Sequence, residues 1–201
     1  MIKSDRWIIE KCKNDQMLDP FLDNLVQKAE GVAEKGKRIS YGPSSYGYDI
    51  RLDTKFKIFT NANQSKGAGV VDPKSFDEHN FVEVDTDELG QDFIIVPPSS
   101  FVLGVSKEYM KIPEDVTVLV MNKSTYARCG LNCFTTVIEA GWEGNLVLEF
   151  SNNTPLPIKL YANEGCAQLL FFESDEKCNT TYAQRGGKYQ GQRGVQTPIC
   201  K

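Results

Sequence analysis

Residues Asn145–Phe150 read NLVLEF. In an extended chain successive side chains point to opposite faces, so Leu146, Leu148 and Phe150 share one face and Val147 and Glu149 the other. The run predicts a strand with one buried face. Glu149, on the opposite face, has two readings. It is a solvated carboxylate on an outer surface, or a carboxylate held in a pocket wall where it can shuttle a proton.

The same texture extends outward from this strand. Further strands are predicted at 46–53 (YGYDIRLD), 55–60 (KFKIFT), 81–85 (FVEVD), 92–97 (DFIIVP), 101–109 (FVLGVSKEY), 116–121 (VTVLVM), 134–138 (FTTVI), 158–162 (IKLYA) and 167–172 (AQLLFF). Pro97–Pro98, Asn152–Pro155 and Asn163–Gly165 read as turns between them. Many short strands without interleaved helices predict a mainly β fold, a barrel or double-sheet roll. Helices are expected only near the start. Ser4 reads as an N-cap, with Trp7, Ile8 and Cys12 roughly on one helical face. The spacing of Phe21, Leu22, Leu25, Val26 and Ala29 predicts a second short helix over 21–29. The polar stretch TNANQSKGAGVVD (60–72) reads as an exposed loop.

The chain has 201 residues, enough for one domain of ordinary size. With no repeat, linker or low-complexity segment, residues 1–201 read as a single domain. A net charge of −4 argues against a protein that coats nucleic acid by bulk electrostatics. The charge is uneven. Tyr182–Lys201 holds Arg185, Lys188, Arg193 and Lys201 and no acid, so a basic tail sits on an acidic body. A small anion or a neighbouring subunit suits such a tail better than DNA. No run approaches the ~20 apolar residues of a membrane helix, so no membrane partner is expected. The start, MIKSDRWIIEKCKND, lacks an apolar signal core. The six Cys form no C-x-x-C, and free thiols in a cytoplasmic protein are expected.

Zinc chemistry lacks its ligands. His79 is the one His of the chain, and the base-deaminase signature of H-x-E with P-C-x-x-C does not occur. The phosphate loops GxxxxGK[ST] and GxGxxG are also missing. Yet Asn122–Gly130 reads NKSTYARCG, with Lys123 and Arg128 flanking Ser124 and Thr125 at the end of a strand. It is either a surface turn or a cradle in which amides, hydroxyls and a cation hold an anion. Glu139, in VIEAGWEG (Val137–Gly144), precedes a glycine–aromatic turn and reads as the acidic shoulder of a hairpin. The Gly-rich tail YAQRGGKYQGQRG (182–194) is a disordered end or a lid that orders when phosphate neutralises its cations.

Together, YGYDIRL (46–52), PPSSFVLGVSKEYMKIPEDV (97–116), NKSTYARCGL (122–131), WEGNLVLEFSNNTPLPIKLYANEGCAQLLFFES (142–174) and YAQRGGKYQGQRGV (182–195) resemble the dCTP deaminases of the dUTPase-like superfamily. The resemblance covers nearly the whole chain. It implies a dUTPase-like β-roll or distorted barrel, a homotrimer with active sites between subunits, and zinc-independent hydrolysis of dCTP to dUTP and ammonia. It further implies Mg²⁺ with the triphosphate and feedback inhibition by dTTP.

By the same resemblance Glu149 is the general acid–base, Ser124 positions the water with a backbone carbonyl near Thr136, and Arg128 holds the carboxylate. Lys123, where many relatives have Arg, and Thr125 and Gln168 are implied phosphate ligands. Glu139 lies beside the deoxyribose, and Tyr182, Lys188 and Gln192 close over the triphosphate as the lid (182–201). Val137 replaces an expected Pro. VIEAGWEG also resembles the dUTPase pattern V-I-D-x-x-Y-x-G, whose Asp orients water at the α-phosphate. Glu139 stands in that place, which leaves a bifunctional enzyme yielding dUMP as the alternative, beside a non-catalytic trimeric nucleotide-binding regulator.

Overall fold

The structure is a computed structural model that describes residues 1–28, 37–60 and 70–200. Its elements in chain order are helix α1 (Asp5–Asp15), β1 (Leu18–Asp19), β2 (Val26–Lys28), β3 (Lys37–Ser44), β4 (Gly47–Phe59), β5 (Phe81–Asp85), β6 (Phe93–Val96), β7 (Phe101–Lys111), β8 (Val116–Asn122), the one-turn helix α2 (Ser124–Ala127), β9 (Leu131–Cys133), β10 (Thr136–Ile138), β11 (Glu143–Asn152), β12 (Ile158–Tyr161) and β13 (Gly165–Glu173). The fold is mainly β, as the short alternating runs predict.

One sheet carries most of the strands, in the order β10-β8-β13-β4-β7-β11-β9, with β1, β2, β3 and β5 attached to its members. Strands β6 and β12 form a separate pair. Strand β11 shows the alternation that Asn145–Phe150 predicts. Leu148 and Phe150 are fully buried, and Val147 and Glu149 lie on the other face. Burying a side chain of this size contributes about 1.5–3 kcal/mol. Tyr48, Ile50, Leu52 and Phe56 of β4 and Leu169 and Phe171 of β13 complete the same core. At the end of β11 the buried Asn152 amide donates to the carbonyls of Val96, Pro97 and Leu156, which joins the sheet to β6 and the following turn. Helix α1 packs on the sheet through Ile8, Cys12 and the Trp7 ring, 6.2 Å from Phe171. It ends where Gln16 takes a left-handed conformation and its N–H bonds the Cys12 carbonyl.

Two expectations are corrected. Residues 21–28 are not helical. The Leu22 N–H donates to the Tyr48 hydroxyl at 3.1 Å, and Val26 pairs with Tyr41 across β2 and β3. Tertiary pairing overrides the apolar spacing; Ala29 lies outside the described residues. The two strands predicted at 46–53 and 55–60 are one 13-residue strand, β4. Its pairing with β7 shifts register between Leu52 and Phe56, and the polar residues there broke the apolar pattern. Most of the loop predicted at 60–72 lies outside the described residues.

Candidate active site

Glu149 stands opposite Leu103 of β7, on the face of β11 turned from the core. It is not a solvated surface carboxylate. Its Oε2 is buried and has no hydrogen-bond partner among the described residues. Burial pushes the carboxyl above the usual range, and a backbone hydrogen bond only partly opposes this. The buried Cys133 thiol lies nearby, behind the cavity wall, and burial with the Glu149 charge raises it to about 12, so it stays neutral.

The carboxylate faces a cavity of about 630 Å³. Thr136 and Glu139 form one rim, and Tyr182, Lys188 and Gln192 of the tail form another. Six of the predicted site residues therefore meet at one cavity. An aromatic wall completes it: the Phe59 ring lies 4.2 Å from Phe81 and 5.1 Å from Phe101, and Phe76 stacks 5.3 Å from Phe81.

The tail is folded over this cavity. Trp142 Nε1 donates to the Tyr189 carbonyl at 3.1 Å. Gln192 Nε2 donates to the Asn145 carbonyl at 2.8 Å, and the Gly191 N–H donates to Glu143 at 2.7 Å. The Tyr189 N–H donates to the Tyr182 hydroxyl at 3.1 Å. The Arg193 guanidinium lies over the Tyr109 ring, 3.6 Å from its centre, and Arg185 pairs with Glu139. The Lys188 ammonium donates to the Ile199 carbonyl at 2.6 Å. Lys201 lies outside the described residues.

The remaining five residues do not line the cavity. Strand β8 delivers Lys123 as the N-cap of α2, so Ser124, Thr125 and Arg128 stand exposed along a single turn. Gly130 reverses the chain into β9 at φ 80°, where a Cβ would lie 2.2 Å from Thr154 Cγ2. Below the turn the Tyr126 hydroxyl accepts from the Tyr161 N–H at 3.0 Å. Lys123 points inward, and its ammonium donates to Asp49 Oδ2 at 2.7 Å. Gln168 Nε2 donates to the Ser44 hydroxyl at 3.1 Å.

The description dCTP deaminase-like matches residues 2–174. The chain belongs to the dCTP deaminase-like family. Within curated relatives, a dCTP deaminase of Dechloromonas aromatica is 53% identical over 197 residues, covering 98% of each chain. One of Burkholderia thailandensis is 54% identical over 198 residues, with the same coverage. The crystal structure of 2'-deoxycytidine 5'-triphosphate deaminase from Agrobacterium tumefaciens superposes with a TM-score of 0.56 at 18% identity. That match covers 85% of this chain and 47% of the other, and it bears on the fold alone.

Sequence reasoning missed the aromatic wall, Tyr189 and Asp49. Phe76 and Phe81 flank the single-turn segment Glu78–Asn80, which breaks any periodicity. Asp49 lay inside the motif YGYDIRL, where it alternates as an ordinary strand residue.

Proposed function

We propose that this chain hydrolyses dCTP to dUTP and ammonia, with Glu149 as the general acid–base. The observation that carries the reading is the Glu149 carboxylate in the wall of a nucleotide-sized cavity, with its Oε2 buried and without a hydrogen-bond partner among the described residues and its carboxyl raised by burial. The names of the relatives, over the full chain, support the substrate. Glu149 takes a proton from water as the oxygen attacks C4 of cytosine, and delivers it to N3. The tetrahedral intermediate then loses the 4-amino group, which leaves as ammonia with the second proton of the water. A carboxyl raised above its usual range by burial suits both the taking and the giving.

Ser124 and Arg128 must reach the same water and carboxylate, yet on one chain they stand exposed outside the cavity. A neighbouring copy supplies them in this reading, which favours a homotrimer with shared sites. Exposed Phe134, on the segment between α2 and the cavity rim, suits a surface covered by that copy. Thr125, Gln168, Tyr182, Lys188 and Gln192 serve the triphosphate, and dTTP, which carries the same triphosphate, is the expected inhibitor. The cytoplasm is the proposed compartment; no helix among the described residues is long and apolar enough to cross a membrane.

Among the described residues the cavity wall offers no His or Cys, so its donors do not suit zinc. They suit Mg²⁺ only in part. Glu139 is the rim carboxylate and is engaged by Arg185. Mg²⁺ keeps several waters and takes phosphate oxygens with one or two carboxylates, and here it would neutralise triphosphate charge.

Glu139, a second carboxylate on the same cavity, favours one further reading, attack of water at the α-phosphate to give dUMP. Incubation with dCTP and Mg²⁺ followed by separation of products tests both. Ammonia with dUTP supports deamination alone. Ammonia with dUMP and pyrophosphate supports the bifunctional reading. Unchanged dCTP contradicts both and supports a non-catalytic nucleotide-binding protein.

A further inference from the structure

The pair of Lys123 and Asp49 lies beneath the α2 turn, and neither residue opens to solvent: Lys123 is 8% and Asp49 6% exposed. Three strands meet there. Asp49 of β4 stands opposite Gln168 of β13, and Ala167 of β13 stands opposite Asn122, the residue before Lys123. Gly165 makes room for the arrangement. A Cβ at that position would lie 1.9 Å from the Ser40 carbonyl oxygen and 3.1 Å from Lys123 Cε.

Lys123 is also structurally the first residue of the turn, since its carbonyl accepts from the Ala127 N–H at 3.0 Å. The same residue thus anchors α2 through its backbone and the sheet through its ammonium. Burial pushes the Asp49 carboxyl up and Lys123 pulls it down, so the carboxylate depends on this partner. Turning Lys123 outward to a phosphate would leave Asp49 buried and unpaired, the costly case for a buried ion pair. A cation already matched by a buried carboxylate also offers a second anion little net charge.

We propose that Asp49 is a positioning residue that forms with Lys123 a buried strut fixing the Ser124–Arg128 turn, so that Lys123 acts on the turn and not on the triphosphate. The kinetic consequence rests on the deaminase reading above; the binding consequence does not.

The test compares Asp49→Asn, Lys123→Met and the double variant, which buries no charge and so preserves the fold best. Turnover of dCTP is measured alongside calorimetric binding of magnesium tripolyphosphate. Loss of the strut lowers kcat by about tenfold or more through misplaced catalytic groups. Tripolyphosphate affinity falls by no more than about fivefold, the worth of the one hydroxyl contact of a displaced Thr125, and the double variant is no worse than the worse single one because the two residues act as a unit. A double variant that keeps full kcat, or that binds tripolyphosphate about tenfold more weakly, overturns the proposal. If the unsubstituted protein releases no ammonia from dCTP, the deaminase reading fails instead, and the tripolyphosphate affinities still decide the place of Lys123.

Discussion

The indole Nε1 of Trp142 donates to the backbone carbonyl of Tyr189 at 3.1 Å, which ties the hairpin before β11 to the tail. A neutral hydrogen bond of this kind contributes about 1 kcal/mol net, or roughly a factor of five in tail closure. Trp142→Phe keeps most of the ring and removes the donor. We expect the KM for dCTP to rise about fivefold with kcat little changed. Trypsin should also cut after Arg185 and Lys188 faster than in the parent.

Glu149 makes stability pH-dependent in a defined direction. Its folded carboxyl is raised above its unfolded value by burial, so the folded state binds the proton more tightly. The stabilisation is present below the unfolded carboxylate range and is lost as pH rises through the folded value. Glu149→Gln carries no charge to bury. Urea melts should find it more stable than the parent at pH 8, by about 1–3 kcal/mol. The difference should shrink as the solution is made acidic and the parent carboxyl protonates.

Glu108 is fully buried, and Arg51 Nε donates to it at 2.7 Å while the Arg51 N–H donates to its other oxygen at 2.9 Å. Burial pushes the Glu108 carboxyl up and Arg51 pulls it down. Arg51→Met should cost about 3–5 kcal/mol in urea melts, since it leaves a buried acid unpaired. Arg51→Met with Glu108→Met should recover most of that loss.

Arg185 and Glu139 form an exposed pair between the tail and the cavity rim. Such pairs contribute little, so Arg185→Ala should change stability by less than about 1 kcal/mol in the same melts. Its effect should appear instead in the KM for dCTP, through a looser tail.

The strands were legible where one face is buried. Leu146, Leu148 and Phe150 alternate because β11 packs on one side only, and the same holds for β8 and β13. Strand β3 was not predicted, because Gly42 and Pro43 interrupt its apolar pattern. In the fold Gly42 takes φ 108° beside the Asn24 carbonyl, an approach that a Cβ at 2.6 Å would block. The helix expected over 21–29 failed because pairing with β3 decides that segment, and a partner strand leaves no local mark. Within the site, the residue types in NKSTYARCG and NLVLEF were legible as candidates, but their burial was not. Nothing in the spacing distinguishes Lys123, turned in to Asp49, from Arg128, turned out. Long-range pairing made that choice, as it did for the aromatic wall around Phe59.

The most direct measurement is ammonia release from dCTP with Mg²⁺ by the parent and by Glu149→Gln, with nucleotide binding followed in parallel. The account predicts steady release by the parent. It predicts a drop of about 10²–10⁴-fold for the variant, the usual worth of a positioned general acid–base, with dCTP still bound. Turnover by Glu149→Gln within a few-fold of the parent would contradict the central role given to Glu149.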